Sequence, residues 1–337
     1  MKGVRHVDRV LLVHHNDVDG YCAAALLLAA MESLKIRNVD SSVAEVDSLK
    51  SLLSKIATAG FDKIIIVDID AAMLKEDLEG TGADVLIIDH HMVRSDLNSS
   101  RITYINPKIF NDEVYQPASY VAYKFLSSFV DISGKEWLAA LGTVGDFGFD
   151  DCRDLVDKYI DAKSKDDVPK TGFWSVSKVL FGAIIVAAAG RDGITREGIM
   201  DILSRAKGAD DVSTNKSLND ANKMFEGEHA AAKKAFWKSV ETKGNVIIGT
   251  IDSPFKRLGS VISTDASIEH KDKVILILER RGDYFKVHAR YQLGGMHMGK
   301  LMKRCCNGGG HRNAAGGSIA VDEFEHFKTC VFRELGL

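Results

Sequence analysis

Short apolar runs alternate with Ala/Leu-rich or amphipathic stretches over the first 150 residues. Strand-like runs fall near Val10–Val13, Ser42–Val46, Ile64–Val67, Val85–Ile88 and Ile102–Ile105, with helical stretches at Tyr21–Leu34 and Leu49–Ala59. This alternation predicts βαβ units: an α/β fold with an N-terminal, mostly parallel sheet flanked by helices. Ser119–Val130 and Lys135–Leu141 read as further helices leading into Gly142-Thr143-Val144-Gly145-Asp146. Residues 150–172 are dense in Asp and Lys and read as a solvated excursion. Helices are expected over Phe173–Ala189, Thr195–Ala206 and Leu218–Val240, the last as a long connecting helix or as part of an ordinary helical subdomain. From Asn245 the pattern turns to β. Val246–Ile251, Val274–Leu278 and Phe285–Arg290 are strand-like, Gly282-Asp283 forms a hairpin turn, and Gly299–Cys306 is helical. The expected divisions are therefore 1–150, a helical connecting region 151–245, and 246–337.

Composition bounds the reading. A chain of 337 residues, 45% hydrophobic, is long enough for two domains with proper cores. The net charge of −3 names no partner, but it is unevenly spread. From Val246 onward there are 14 Lys+Arg against 10 Asp+Glu, net +4, leaving 30 against 37, net −7, before it. A basic C-terminal region beside an acid-rich one fits a phosphate-bearing substrate. The cysteines (22, 152, 305, 306 and 330) are odd in number and show no C-x-x-C spacing. Neither a disulfide framework nor a thiolate zinc site is expected. The start, Met1–His6, lacks the apolar core of a signal peptide, and the longest apolar stretch, Val179–Ala189, is far short of the ~20 residues a spanning helix needs. The expectation is a cytoplasmic protein with no membrane partner.

Candidate chemistry gathers at the ends of the apolar runs. His15-Asn16-Asp17-Val18-Asp19-Gly20 follows the first, Asp68 and Asp70 the third, and Asp89-His90-His91 the fourth. Ligands collect beyond the carboxyl ends of parallel strands, so these groups can converge on one small volume. Carboxylates packed that closely repel unless cations neutralise them, and carboxylate mixed with imidazole suits manganese, or magnesium, iron or zinc. The period-two spacing of His15, Asp17 and Asp19 directs them to one side of an extended turn, with Gly20 allowing a tight turn into a helix from Tyr21. The alternative is that Asp17 or Asp19 caps that helix. Asp70 reads as a capping or solvent-facing group. Asp146 lies among glycines that permit close backbone approach.

The C-terminal stretch Gly308-Gly309-Gly310-His311-Arg312-Asn313-Ala314-Ala315-Gly316-Gly317 offers exposed backbone N–H groups to an anion and small alanines against which a following helix could pack. The alternative is a hairpin loop. Arg290 sits in Lys286-Val287-His288-Ala289-Arg290, where alternation puts three basic residues on one strand face, either a solvated face or, with the glycine-rich loop nearby, a contact for substrate.

Taken together, these residues resemble the DHH phosphoesterase family, named for the triplet matched by Asp89-His90-His91. The Gly-Gly-Gly-His and Ala-Ala-Gly run is similar to the DHH-associated domain of its RecJ-like and oligoribonuclease branch, and the first motif looks most like archaeal members. The resemblance covers roughly 1–150 and 245–337. It implies a catalytic metal-binding domain, a smaller C-terminal α/β substrate-binding domain with a mixed sheet, and a site for two divalent ions, manganese or else magnesium, in the cleft between them. By analogy His15, Asp17 and Asp68 would hold one ion, and Asp19, Asp68, His90 and Asp146 the other. His91 would contact the scissile phosphate or stand just behind the metal ligands, with Asp89 orienting the histidines. Arg290, His311 and the backbone of Gly308, Gly309 and Gly310 would grip a substrate phosphate.

The implied activity is hydrolysis of a phosphodiester in single-stranded nucleic acid or a short oligonucleotide, releasing nucleoside monophosphates. An end held at a fixed distance from the metals would make it exonucleolytic. The alternatives are a cyclic-dinucleotide or dinucleotide phosphodiesterase, and a replication scaffold with little activity. With an aromatic content of 8%, stacking surfaces for long strands are not evident in the sequence, which favours short oligonucleotides. A replication or repair protein, or a second copy of the chain, completes the set of expected partners.

Overall fold

The structure, a computed structural model, describes residues 5, 8–164, 166–191, 193–255, 257–306, 308–310 and 312–337. The chain divides into two compact units, one reaching Asn222 and the other spanning Lys223–Leu337.

The first unit carries β1 (Val10–His14), α1 (Val18–Ser33), β2 (Val39–Val43), α2 (Val46–Ile56), β3 (Lys63–Val67), α3 (Lys75–Gly80), β4 (Asp84–Ile88) and β5 (Ile102–Ile105). These are followed by α4 (Ala118–Ser127), α5 (Glu136–Gly145), α6 (Arg153–Val156), α7 (Gly172–Ala188), α8 (Arg196–Arg205) and α9 (Ala209–Ser213). Its sheet has the order β2-β1-β3-β4-β5, and every pairing is parallel. Strands buried on both faces read as continuous apolar runs, which is why β3 is Lys-Ile-Ile-Ile-Val. Leu11, Val13, Ile64, Ile66, Val85 and Ile87 pack with Leu49 and Leu53 of α2 and Leu78 of α3. Helix α1 contacts β1 and β3 and packs against α4 and α5. It is apolar on nearly every side, as a helix enclosed by others must be. Helices α7 and α8 pack on α1, and α7 and α9 on α5, so much of the stretch after residue 150 is built onto this unit.

Helix α10 (Lys216–Ser239) crosses the division at Asn222. The second unit then contains β6 (Glu241–Lys243), β7 (Val246–Ile251), α11 (Leu258–Glu269), β8 (Val274–Arg281), β9 (Tyr284–Arg290), α12 (Met298–Cys306), β10 (Gly309–Gly310), β11 (Ala314–Ala320) and α13 (Phe324–Glu334). The sheet order is β10-β11-β9-β8-β7-β6, mixed, with β7 and β8 parallel and the other pairs antiparallel. Val287 and Ala289 of β9 join Leu301 and Met302 of α12 and Phe327 and Val331 of α13 in one core.

Four expectations are corrected. The second strand lies at Val39–Val43, earlier than Ser42–Val46, because only Val39 and Val43 of its five residues are apolar and the run gave little signal. Gly142–Gly145 is the last turn of α5, so the helix continues past the expected end at Leu141; its glycines serve helix packing. The Ala-Ala-Gly-Gly run, read as part of an anion-binding or hairpin loop, is strand β11, and it pairs with β9 along its whole length. Cys305 and Cys330 form a disulfide, joining α12 to α13; two helices side by side bring them together across 25 residues of sequence, which spacing does not reveal. Among the described residues no helix is long and apolar enough to cross a membrane.

Candidate metal centre

The strand register sets the site. His14 pairs with Val67, and Val67 with Ile88, so β1, β3 and β4 end at one level. The residues that follow, 15–19, 68 and 89–91, therefore begin side by side at the carboxyl edge of the sheet. The order β2-β1-β3 also places the reversal of strand sequence at β1, where such crevices open.

Each side chain is locally constrained. Asp17 is the N-cap of α1, accepting the Gly20 N–H at 3.1 Å, and it also lies 2.5 Å from His15 Nδ1. Capping and clustering thus fall on the same carboxylate. The helix begins at Val18, earlier than expected, and Gly20 is inside its first turn. A Cβ there would sit 2.6 Å from the His15 carbonyl oxygen, so close approach is what requires glycine. Asp19 is buried and accepts the backbone N–H groups of Ala118 (2.6 Å) and Ser119 (3.0 Å), pinning the start of α4. Asp68 adopts a left-handed backbone with φ of 61°. Asp tolerates this conformation better than most residues, and strain of this kind collects at functional sites. Asp146 is the C-cap of α5. Asp70 stands apart: it accepts the Ala72 N–H at 3.0 Å and lies 3.6 Å from Arg94.

Three overlapping groups of metal-ligand type result: His15, Asp17 and Asp68; Asp19, His90 and Asp146; and Asp68, His90 and His91. Within each, one donor atom per residue lies within 4.8 Å of the others. Asp68 and His90 each belong to two groups. His15 Nδ1 is 3.4 Å from Asp68 Oδ2, while His90 Nε2 is 3.2 Å from Asp68 Oδ1 and 3.6 Å from Asp146 Oδ2.

The electrostatics are those of a cluster short of positive charge. Burial, then the charges of Asp68 and Asp146, pushes the Asp19 carboxyl well above its usual range. Burial likewise raises Asp146, to about 6, against the opposing pull of His90. Burial would lower His90, but its hydrogen bond to Asp68 and the charges of Asp146, Asp68 and Asp19 win and raise it to about 10. His15 is also raised, Asp17 overcoming burial. Among the described residues, buried His90 Nδ1 has no hydrogen-bond partner and buried Asp68 Oδ2 has only the His15 ring nitrogen near it, at 3.4 Å. Oxygen and imidazole donors, mutual repulsion and an unpartnered buried nitrogen fit a divalent cation.

Asp89 is buried and bonds His91 Nδ1 at 2.7 Å. Burial would raise its carboxyl, but the hydrogen bond and charge of His91 outweigh this and lower it. Two participants escaped sequence reasoning. Glu45, the N-cap of α2, lies 3.1 Å from His15 Nε2. Tyr115, on the loop before α4, donates its hydroxyl to Asp146 Oδ2 at 2.6 Å and packs edge-on to His90 with ring centroids 5.5 Å apart. Neither residue lies in a recognisable motif.

The second unit has its own polar face. Lys286, His288 and Arg290 share one side of β9 and line a cavity of about 580 Å³ with Gly308, Gly309, Gly310 and Ala314–Gly317. Arg290 donates to Ser260 Oγ (3.1 Å), Thr264 Oγ1 (3.4 Å) and the Ala289 carbonyl (3.1 Å), and among the described residues no carboxylate pairs with it. Burial pushes its guanidinium below the usual range. A half-buried cation facing only neutral oxygens suits an anionic ligand. His288 is held by buried Glu279 at 3.1 Å, which also pairs with Arg281. The glycines are in part a packing requirement: a Cβ at Gly310 would lie 2.6 Å from the Ala314 carbonyl oxygen, whereas Gly309 faces open space. His311 lies outside the described residues.

Residues 9–143 match the DHH family, N-terminal domain, and residues 243–335 match the DHHA1 domain. No curated protein sequence matches the chain. Among solved structures, RecJ from Thermus thermophilus in complex with Mn2+ superposes with a TM-score of 0.74 at 16% identity, over 98% of this chain and 52% of that one. This chain thus spans about half the length of that RecJ. An exonuclease RecJ bound to manganese gives 0.68 at 15% identity, covering 98% and 90%. A pGpG-specific phosphodiesterase, PggH from Vibrio cholerae, gives 0.57 at 12% identity, covering 97% and 98%. At these identities the likeness is one of fold.

Proposed function

With both its DHH and DHHA1 domains present, the chain belongs to the DHH phosphoesterases, and on that premise we propose that it is a two-cation phosphodiesterase that hydrolyses single-stranded nucleic acid or short oligonucleotides exonucleolytically. The observation that carries this reading is the sharing of Asp68 between donor groups, since one carboxylate with two oxygens can serve two adjacent cations. His15, Asp17 and Asp68 would hold one, and Asp19, Asp68, His90 and Asp146 the other, with manganese preferred and magnesium accepted. Bound cations of this kind polarise a phosphoryl oxygen and lower the pKa of the attacking water.

The chain's own residues do the rest. Asp89 fixes the His91 ring through Nδ1, leaving Nε2 to hold a proton toward a phosphoryl oxygen; Asp89 also raises the His91 pKa over the opposing effect of burial. Tyr115 holds the Asp146 carboxylate in place. Residues 246–337 form the substrate-binding part, where Arg290, the backbone of Gly308, Gly309 and Gly310, and His311 would bind a substrate phosphate. Water adds to phosphorus, the bridging P–O bond breaks, and the leaving oxygen takes up a proton.

A second reading, a dinucleotide or cyclic-dinucleotide phosphodiesterase, draws support from the fold, which also superposes on the pGpG-specific enzyme over 97% of this chain. A substrate panel with Mn2+ separates the two. Release of mononucleotides from 5′-phosphorylated strands, faster than from 5′-hydroxyl or blocked ones, supports the exonuclease. Cleavage confined to dinucleotides or cyclic dinucleotides supports the second reading. Equal cleavage of all strand ends sinks the end-grip. No turnover of any substrate with either metal leaves a scaffold role in replication.

A further inference from the structure

Helix α5 ends in an unusual way. Phe147 N–H donates to the Val144 carbonyl at 3.1 Å and Gly148 N–H to the Thr143 carbonyl at 2.8 Å. This is the Schellman pattern, in which the residue after the C-cap takes a left-handed backbone and is usually glycine. Here it is Phe147, at φ of 56°, a conformation that crowds a Cβ against the backbone. The ring is not spent on the core either: Phe147 is 49% exposed. It leans on Trp174 of α7 with ring centroids 4.7 Å apart and planes at 54°. A phenyl group at this position serves neither the helix end nor the interior.

Its neighbour supplies a reason. Asp146 is in the cluster with Asp19 and His90, and its Cα is about 3.8 Å from that of Phe147 across a trans peptide. We infer that Phe147, backed by Trp174, is a stacking platform for a nucleobase of the substrate, placed within a nucleotide or two of the phosphate that reacts beside Asp146. The inference rests on the phosphodiesterase reading and adds to it a residue that recognises the base. Every base presents a π-face, so such a platform is tolerant of sequence and selects nucleotides over base-free phosphodiesters. Strain held at a helix end beside a reactive cluster is what a binding role explains and packing alone does not.

The test uses the full chain with Mn2+ and a 5′-phosphorylated oligonucleotide in which one abasic residue is walked along the strand. Phe147→Gly relieves the left-handed strain, so its Tm stays at or above that of the wild type while KM rises about tenfold or more, with kcat changed less. One abasic position costs the wild type a similar factor and costs Phe147→Gly nothing further. Phe147→Leu keeps the apolar bulk and loses affinity; Phe147→Trp restores it. An unchanged KM in Phe147→Gly and Phe147→Leu, or an equal abasic penalty in wild type and variants, overturns the platform and leaves the phosphodiesterase standing. A wild type that neither binds nor cleaves any strand removes both.

Discussion

Gly142–Gly148 and Gly308–Gly317 look alike as sequence, each a glycine-rich run beside a charged residue, yet they work differently. In the first, glycine brings a helix close to the reactive cluster. A Cβ on Gly142 would strike Ser119 Oγ and come within 3.0 Å of Asp19 Oδ1, and one on Gly145 would lie 2.8 Å from Val18 Cγ1 and Ser177 Oγ. In the second, glycine lets backbone stack on backbone: a Cβ on Gly310 or Gly316 meets a carbonyl oxygen at 2.6 or 2.8 Å. Only Gly309 has open space. A glycine run is thus evidence of close approach, and what approaches must be read from the fold.

The contrast can be broken or sharpened by experiment. The largest effect belongs to the first region. Asp68→Asn should lower kcat/KM on the order of 10³-fold, the ~4 kcal/mol that lost cation-dependent stabilisation represents. Chelation should abolish activity and added Mn2+ restore it. Activity within tenfold of wild type, measured on a labelled oligonucleotide, would break the comparison at its root. Arg290→Ala should act on binding instead, raising KM ~10–100-fold with kcat within a few-fold, the ~1.5–3 kcal/mol of a charged hydrogen bond. A loss confined to kcat would remove Arg290 from substrate binding.

Gly142→Ala should cost about 1–3 kcal/mol in thermal unfolding through overpacking, and activity should fall with it because Asp19 must shift. Stability lost with activity intact would separate the glycine from the cluster. Tyr115→Phe should weaken Mn2+ binding about tenfold in a titration followed by electron paramagnetic resonance, as loss of a group orienting a ligand does. Unchanged affinity would leave Tyr115 with only a packing role. The smallest effect is Gly309→Ala: stability within about 0.5 kcal/mol, with a few-fold rise in KM if its backbone approaches phosphate. An unchanged KM would confine the run to architecture.

How legible all this was depended on what carried the signal. Strands β1, β3 and β4 and the groups at their ends were readable because buried strands are unbroken apolar runs and chemistry at their carboxyl ends stands out, whereas polar β2 was misplaced. Strand β11 was not readable, since Ala, Gly and Ser are weak strand formers and only pairing with β9 makes them one. Tyr115 and Glu45 carry no local pattern; they reach the cluster from loop and helix cap through tertiary folding. Phe147 was hidden by averages: 8% aromatic content says nothing about one ring set half-exposed in a left-handed turn.

Asp19 carries a consequence of its own. Its two oxygens anchor the amides of Ala118 and Ser119, so a change in the charge beside it should alter how firmly the first residues of α4 are held. Deuterium uptake at those two amides would then serve as a gauge of ion loading read from the polypeptide itself.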